Sequence, residues 1–161
     1  MRKWFFLVAL VSLSFLAPAC SRPTDPAAEE KSVRETFEKY LKSVDSADTA
    51  LASQVWSQSP DVEVVTPFGR SKGWETVRDK LYVDFLQKAF LERSLKPENL
   101  VIKVSGDTAW AVFDWSFTAK LANGQPFSSK GWESHVYQKA DKRWTIVHLH
   151  YSAPIPAPPP Q

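Results

Sequence analysis

Cysteine is almost absent. Cys20 is the only one among 161 residues, so no disulfide can form within the chain. Net charge is nearly absent too. The formal balance is +2, and loss of Arg2 and Lys3 with an N-terminal signal would leave 18 basic against 18 acidic residues. Nothing in that balance calls for nucleic acid or an anionic membrane surface, and neither is expected as a partner. Histidine is scarce, with three in the chain, too few for a zinc site built from histidine alone on one face. No hydrophobic run reaches the ~20 residues of a membrane-spanning helix. The longest, "WFFLVALVSLSFLA" at 4–17, ends at Pro18. No internal repeat is present, and no cofactor is expected.

Aromatic residues are plentiful. Seven Trp and ten Phe, in a chain that is 43% hydrophobic, predict a folded core or a ring-lined cavity. The apolar run at 4–17 follows Arg2 and Lys3 and precedes the small residues "APA" (17–19), which predicts a cleaved signal peptide over 1–19. "LAPAC" (16–20) resembles a bacterial lipobox, with Leu16 one place further from the cysteine than usual. A lone free thiol in an oxidising compartment is a liability, so Cys20 is expected to carry a lipid. Ser21, rather than Asp, resembles the default for outer-membrane sorting. The expected product is an exported protein on the periplasmic side, tethered by 20–28, with membrane contact only through Cys20.

The domain itself is predicted over 29–153. Val33, Phe37, Leu41 and Val44 fall on one face of a helix. Asp48 is placed to cap a second, short helix over 49–56. "DVEVV" (61–65) reads as a strand and "TPFGRSKG" (66–73) as a loop. Trp74, Val77, Leu81 and Phe85 form a stripe in a third helix expected to run to Arg93. Strands follow over 100–104, 108–121, 127–139 and 143–152, separated by "SGD", "ANGQP" and "ADK" turns. The tail 154–161 is Pro-rich and extended. The order predicts an α+β fold: a cone-shaped, curved antiparallel sheet wrapped around three helices from the N-terminal half.

That order, together with "VVTPFGRSKGWETV" (64–77) and "WTIVHLHYS" (144–152), resembles the nuclear transport factor 2-like superfamily. Within it the chain is similar to SnoaL-like domains and to the association domain of calcium/calmodulin-dependent kinase II. The resemblance spans about residues 30–153. It implies the fold, whereas function stays open, because this fold hosts isomerases, cyclases, dehydratases, binding modules and assembly hubs. Alignment with the kinase domain implies that Tyr82, Trp115, His135 and Tyr151 stand where that domain contacts its ligand. Its arginines are replaced here by rings and a histidine, so a flat or apolar ligand is expected, bound by Tyr82, Trp115, His135 and Tyr151.

Strand alternation sorts the remaining candidates. Trp115 shares a face with Ala111, Phe113 and Phe117, the expected inner face. His135 lies with Glu133 and Tyr137 and is expected near a cavity mouth, where it is the best candidate acid or base. Asp114 opposes Trp115 and is expected to face outward, which leaves no central inner-face carboxylate as a base. His148 and His150 are expected on the outer face together with Trp144 and Ile146, at a homodimer interface. Three readings stay open: a small-molecule binder, a SnoaL-like enzyme using His135, and a dimeric scaffold whose pocket is filled.

Overall fold

The computed structural model describes residues 25–154. The signal at 1–19, Cys20 and the tail beyond Pro154 lie outside the described residues.

The first helix begins earlier than its apolar stripe suggests. Asp25 accepts a hydrogen bond from the Ala27 amide at 3.0 Å, and Pro26 opens the helix with a φ suited to that position. Residues 26–28, expected in the tether, are therefore the first turn of α1 (Pro26–Ser46). Val33, Phe37, Tyr40 and Val44 are buried along it, so Tyr40 occupies the stripe where Leu41 was expected. Ala47, at φ 50°, closes the helix. Asp48 caps α2 (Thr49–Val55) through the Ala50 and Leu51 amides, at 2.7 and 3.0 Å, as its position predicts.

The segment expected as a loop is a hairpin. β1 (Glu63–Thr66) and β2 (Gly69–Lys72) pair antiparallel around Pro67 and Phe68. The third helix is shorter than expected. α3 (Trp74–Val77) runs on as a π-helix over Arg78–Gln87, and β3 (Phe90–Ser105) starts three residues later. Phe90–Leu95 pairs with β4 (Thr108–Leu121) from Leu121 to Phe117. This long ladder decides the conformation of a stretch whose own sequence is ambiguous. Pro97 is accommodated because β3 is a sheet edge. β5 (Pro126–Ala140) and β6 (Arg143–Ser152) complete a six-stranded sheet in the order β2-β1-β6-β5-β4-β3. All neighbours are antiparallel except β1 and β6, which run parallel, a departure from the wholly antiparallel sheet expected.

The sheet curves over α1, and its concave side holds Ala109, Ala111, Phe113 and Phe117 of β4. Phe37 of α1 meets Phe113 edge-on with centroids 4.9 Å apart, a pair of about 1 kcal/mol beyond its burial. Glu29 ties the start of α1 to the far end of the sheet. Its two oxygens take the Lys139 ammonium at 2.5 Å and the Trp144 indole N–H at 2.9 Å.

One irregularity resets the last strand. Val136 pairs with His148, but Tyr137 pairs with Ile146, so an extra residue is inserted in β6. Strict alternation places Trp144 and Ile146 with His148 and His150. The bulge instead turns Trp144 and Ile146 inward, where both are buried, and brings Leu149 and Tyr151 to that same face. His148 and His150 remain on the outer face, alongside Trp110, Val112 and Trp132, which are exposed.

Candidate functional site

Between the inner sheet face, the end of α1 and the β1–β2 hairpin lies a cavity of about 380 Å³. Its walls are overwhelmingly apolar, with Phe85, Phe90, Trp115, Phe117 and Tyr151 among them. Phe68, at the hairpin tip and 83% exposed, forms part of its rim. A second cavity of about 350 Å³ adjoins it across Phe68, Leu81, Phe85 and Tyr151 and is lined on its outer side by Arg70 and Lys80.

Two of the four predicted ligand residues, Trp115 and Tyr151, line the larger cavity, with ring centroids 6.2 Å apart. Tyr82 and His135 do not. Tyr82 is fully buried between the helices: the Trp56 indole N–H donates to its oxygen at 3.0 Å, and its hydroxyl lies 2.9 Å from Ser43 Oγ. Because Ser43 donates its own proton to the Tyr40 carbonyl at 2.7 Å, Tyr82 is the donor to Ser43. Burial pushes the Tyr82 phenol up to about 12.

His135 is not at a mouth. It is 0% exposed, packed edge-on against Tyr40 and Phe113. Both ring nitrogens are engaged, Nδ1 with the Tyr137 hydroxyl at 2.7 Å and Nε2 with Glu133 Oε1 at 2.6 Å. Burial, then the nearby Glu133 charge, raises the Tyr137 phenol well above its ordinary value. Tyr137 therefore keeps its proton, and His135 Nδ1 is its only acceptor among the described residues. The proton on His135 then lies on Nε2 and is donated to Glu133.

The residue that reaches the cavity is Glu133. The expectation that no inner-face carboxylate exists is corrected here: β5 alternation puts Glu133 on the concave side, 5% exposed, in the cavity wall. Tyr40 donates to Glu133 Oε1 at 2.7 Å. Burial first, and then Glu133, hold the Tyr40 phenol far above its usual value, so it remains a donor. Oε1 thus takes two bonds from neutral groups, while Oε2 takes none among the described residues. The result is a carboxylate held in one orientation by α1 and β5, with one oxygen left for the cavity.

Trp115 contributes the second polar feature. Its indole nitrogen is buried and is the one buried side-chain polar atom without a hydrogen bond among the described residues. Sequence reasoning missed Tyr40 and Phe90 as site residues. Tyr40 could have been found three residues after Phe37 on the α1 stripe. Phe90 was hidden by the helix expected there.

Comparison with known proteins agrees with this fold. A nuclear transport factor 2-like superfamily protein from Salmonella enterica serovar Typhimurium is 35% identical, over 83% of this chain and 96% of its own, with a TM-score of 0.78. A hexachlorocyclohexane dehydrochlorinase, LinA-type3, from Novosphingobium barchaimii is 19% identical over 80% of this chain and 88% of its own, with a TM-score of 0.70. A Xanthomonas campestris protein assigned as a calcium/calmodulin-dependent protein kinase II association domain is 19% identical over 90% and 100%, with a TM-score of 0.67. The latter two share the fold alone. No curated protein sequence matches. The SnoaL-like domain model matches residues 33–156, the span that holds both the cavity and its carboxylate: the chain belongs to the SnoaL-like domain family of the nuclear transport factor 2-like superfamily.

Proposed function

We propose that this domain binds a small, largely apolar molecule in the cavity between the hairpin and the concave sheet. The observation that carries the reading is the cavity of about 380 Å³, walled by rings and containing a single carboxylate. That is the size and character of a small-molecule site. A scaffold with a vestigial pocket calls for Trp115 and Tyr151 packed without a void, and the void beside them counts against it. The test is titration of the purified protein with naphthalene, followed by NMR. Saturable shifts centred on Trp115, Phe117 and Phe90 are expected. Absence of any saturable shift would defeat the proposal.

A second reading has its own observation. Glu133 stands in the wall of an apolar cavity, and its Oε2 takes no hydrogen bond among the described residues, which leaves it free to accept a proton from a bound molecule. If the domain is an enzyme, Glu133 is the group that would take a substrate proton, and His135 would act through it as a positioning residue. Glu133→Gln would then abolish turnover while leaving binding in place.

The reading extends to an exported, lipid-anchored homodimer. The signal and Cys20 support the first part, and intact mass of the protein from membranes, with and without Cys20→Ser, tests it. Exposed Trp110, Val112 and Trp132 on the outer sheet face support the second. Trp132→Glu should shift the protein to monomer in sedimentation, and a wild-type monomer at micromolar concentration would rule the dimer out.

A further inference from the structure

Glu133 is the one charged residue in the wall of the larger cavity. Its charge has no counterpart there. His135 carries its proton on Nε2 and accepts from Tyr137 on Nδ1, so the ring is neutral. No lysine or arginine forms an ion pair with Glu133 among the described residues. Arg70 and Lys80 line the adjoining cavity instead, and Arg70 is already paired with Glu63.

One oxygen of this carboxylate is open. Oε1 takes the bonds from Tyr40 and His135, and Oε2 takes none. Among the described residues, Trp115 Nε1 is the one side-chain nitrogen or oxygen that is both shut off from solvent and without a partner. Oε2 lacks a partner too, so it is not shut off. The 5% exposure of Glu133 opens onto the cavity that it lines. Rings stand beside it. Tyr151 is directly across from Glu133 on β6, and Trp115 is its diagonal neighbour on β4, both in the same cavity wall.

Ligand classes differ in how they meet an open carboxylate among rings. A carboxylate or phosphate sets its charge against Glu133. A neutral apolar molecule leaves Oε2 without a donor, and an unmet acceptor in an apolar site costs more than a bond contributes. A hydroxyl supplies the bond but leaves the charge unbalanced. An ammonium supplies both, and the faces of neighbouring rings attract it further. The cost of taking the carboxylate out of bulk water is already met by folding, so only the cation has still to be desolvated.

Resting on the small-molecule reading above, we infer that the ligand of this cavity is an apolar amine, bound as its ammonium ion with an N–H donated to Glu133 Oε2. Tyr40 and His135 hold Oε1, which fixes the direction in which Oε2 accepts. Phe85, Phe90 and Phe117 supply the apolar contact around the rest of the molecule.

The test is calorimetric titration of the purified protein with four probes that share one ring system: naphthalene, 1-naphthylmethanol, 1-naphthylmethylammonium and 1-naphthoate. Naphthalene reads the cavity alone. The alcohol adds a neutral donor, and the ammonium adds a donor with charge. The ammonium is expected to bind about tenfold or more tighter than the alcohol, and the naphthoate weakest of the four. Glu133→Gln keeps the shape but removes the charge, and should weaken the ammonium far more than naphthalene. The alcohol binding as tightly as the ammonium, or tighter, would overturn this inference and leave the cavity reading intact. Tightest binding by 1-naphthoate would overturn it as well, as would a Glu133→Gln protein that keeps the preference for the ammonium. The comparison of alcohol with ammonium in the wild type decides the question whether or not the variant folds. Failure of every probe to bind would defeat both this inference and the reading beneath it.

Discussion

The indole of Trp115 lies directly on the backbone of Gly131. A Cβ placed on Gly131 would sit 2.7 Å from Trp115 Cζ2 and 1.9 Å from the Ser152 carbonyl oxygen. Glycine is needed here for close approach, since a ring on β4 and a carbonyl at the end of β6 converge on one Cα.

Gly131→Ala should therefore act on both neighbours. The Ser152 carbonyl is backbone and has little room to yield, so the end of β6 must shift and Trp115 must turn. Overpacking of this kind costs about 1–3 kcal/mol. The expected result is a lower midpoint in urea with an unchanged slope, and weakened binding of cavity probes. Wild-type stability in this variant would show that the contact relaxes without consequence.

Tyr40→Phe removes one of the two donors to Glu133 while keeping the ring that packs on His135 and Trp56. A hydrogen bond to a charged group contributes about 1.5–3 kcal/mol. The variant should lose stability in that range by chemical denaturation. Stability equal to that of the wild type would mean that Tyr40 acts only through packing.

Much of this arrangement is written locally in the sequence. Asp48 announces its helix. Ala111, Phe113, Trp115 and Phe117 announce the concave face by simple alternation. What is not local is lost. Phe90–Leu95 looks helical until β4 is available to pair with it. The bulge opposite Val136 and Tyr137 moves Trp144 and Ile146 to the other face, and no residue type in "RWTIVHLHYS" marks it. The site suffers most from this. Glu133 and His135 were legible as neighbours on β5, but Tyr40 is 93 positions away. Only the folded chain shows that its hydroxyl, with His135, occupies one oxygen of Glu133 and leaves the other to the cavity.

Trp56 and Trp115 offer a matched comparison of satisfied and unsatisfied indoles. Trp56 donates to Tyr82, and Trp115 has no acceptor. Replacing each with Phe removes similar volume, but only at Trp56 does it take a donor away from a buried partner, the Tyr82 oxygen. Trp56→Phe should cost about 1–3 kcal/mol more than Trp115→Phe in the ligand-free protein. Equal losses would mean that Trp115 Nε1 finds an acceptor in solution.

His148 supplies the pH dependence. It lies on the outer face, half-buried in β6, beside Glu63 of β1 and near His150 and Arg70. Burial lowers its pKa below the ordinary histidine value; Glu63 opposes that shift, while His150 and Arg70 reinforce it. The folded protein therefore releases this proton more readily than the unfolded chain, whose histidine titrates near 6.5. Between the two values the unfolded state binds more protons, so stability falls as pH falls through that window and levels off below the folded value. At and above neutrality the full stability is present. Glu63, lowered by its bond to Arg70, acts in the more acidic carboxylate range. Urea midpoints measured from about pH 7.5 to 5.5 should decline in the wild type, and His148→Gln should flatten that decline without changing the value at the upper end. An identical slope in the variant would place the titrating group elsewhere. If the outer face is also a dimer interface, dissociation should follow the same window, because protonated His148 would then be buried against a second copy.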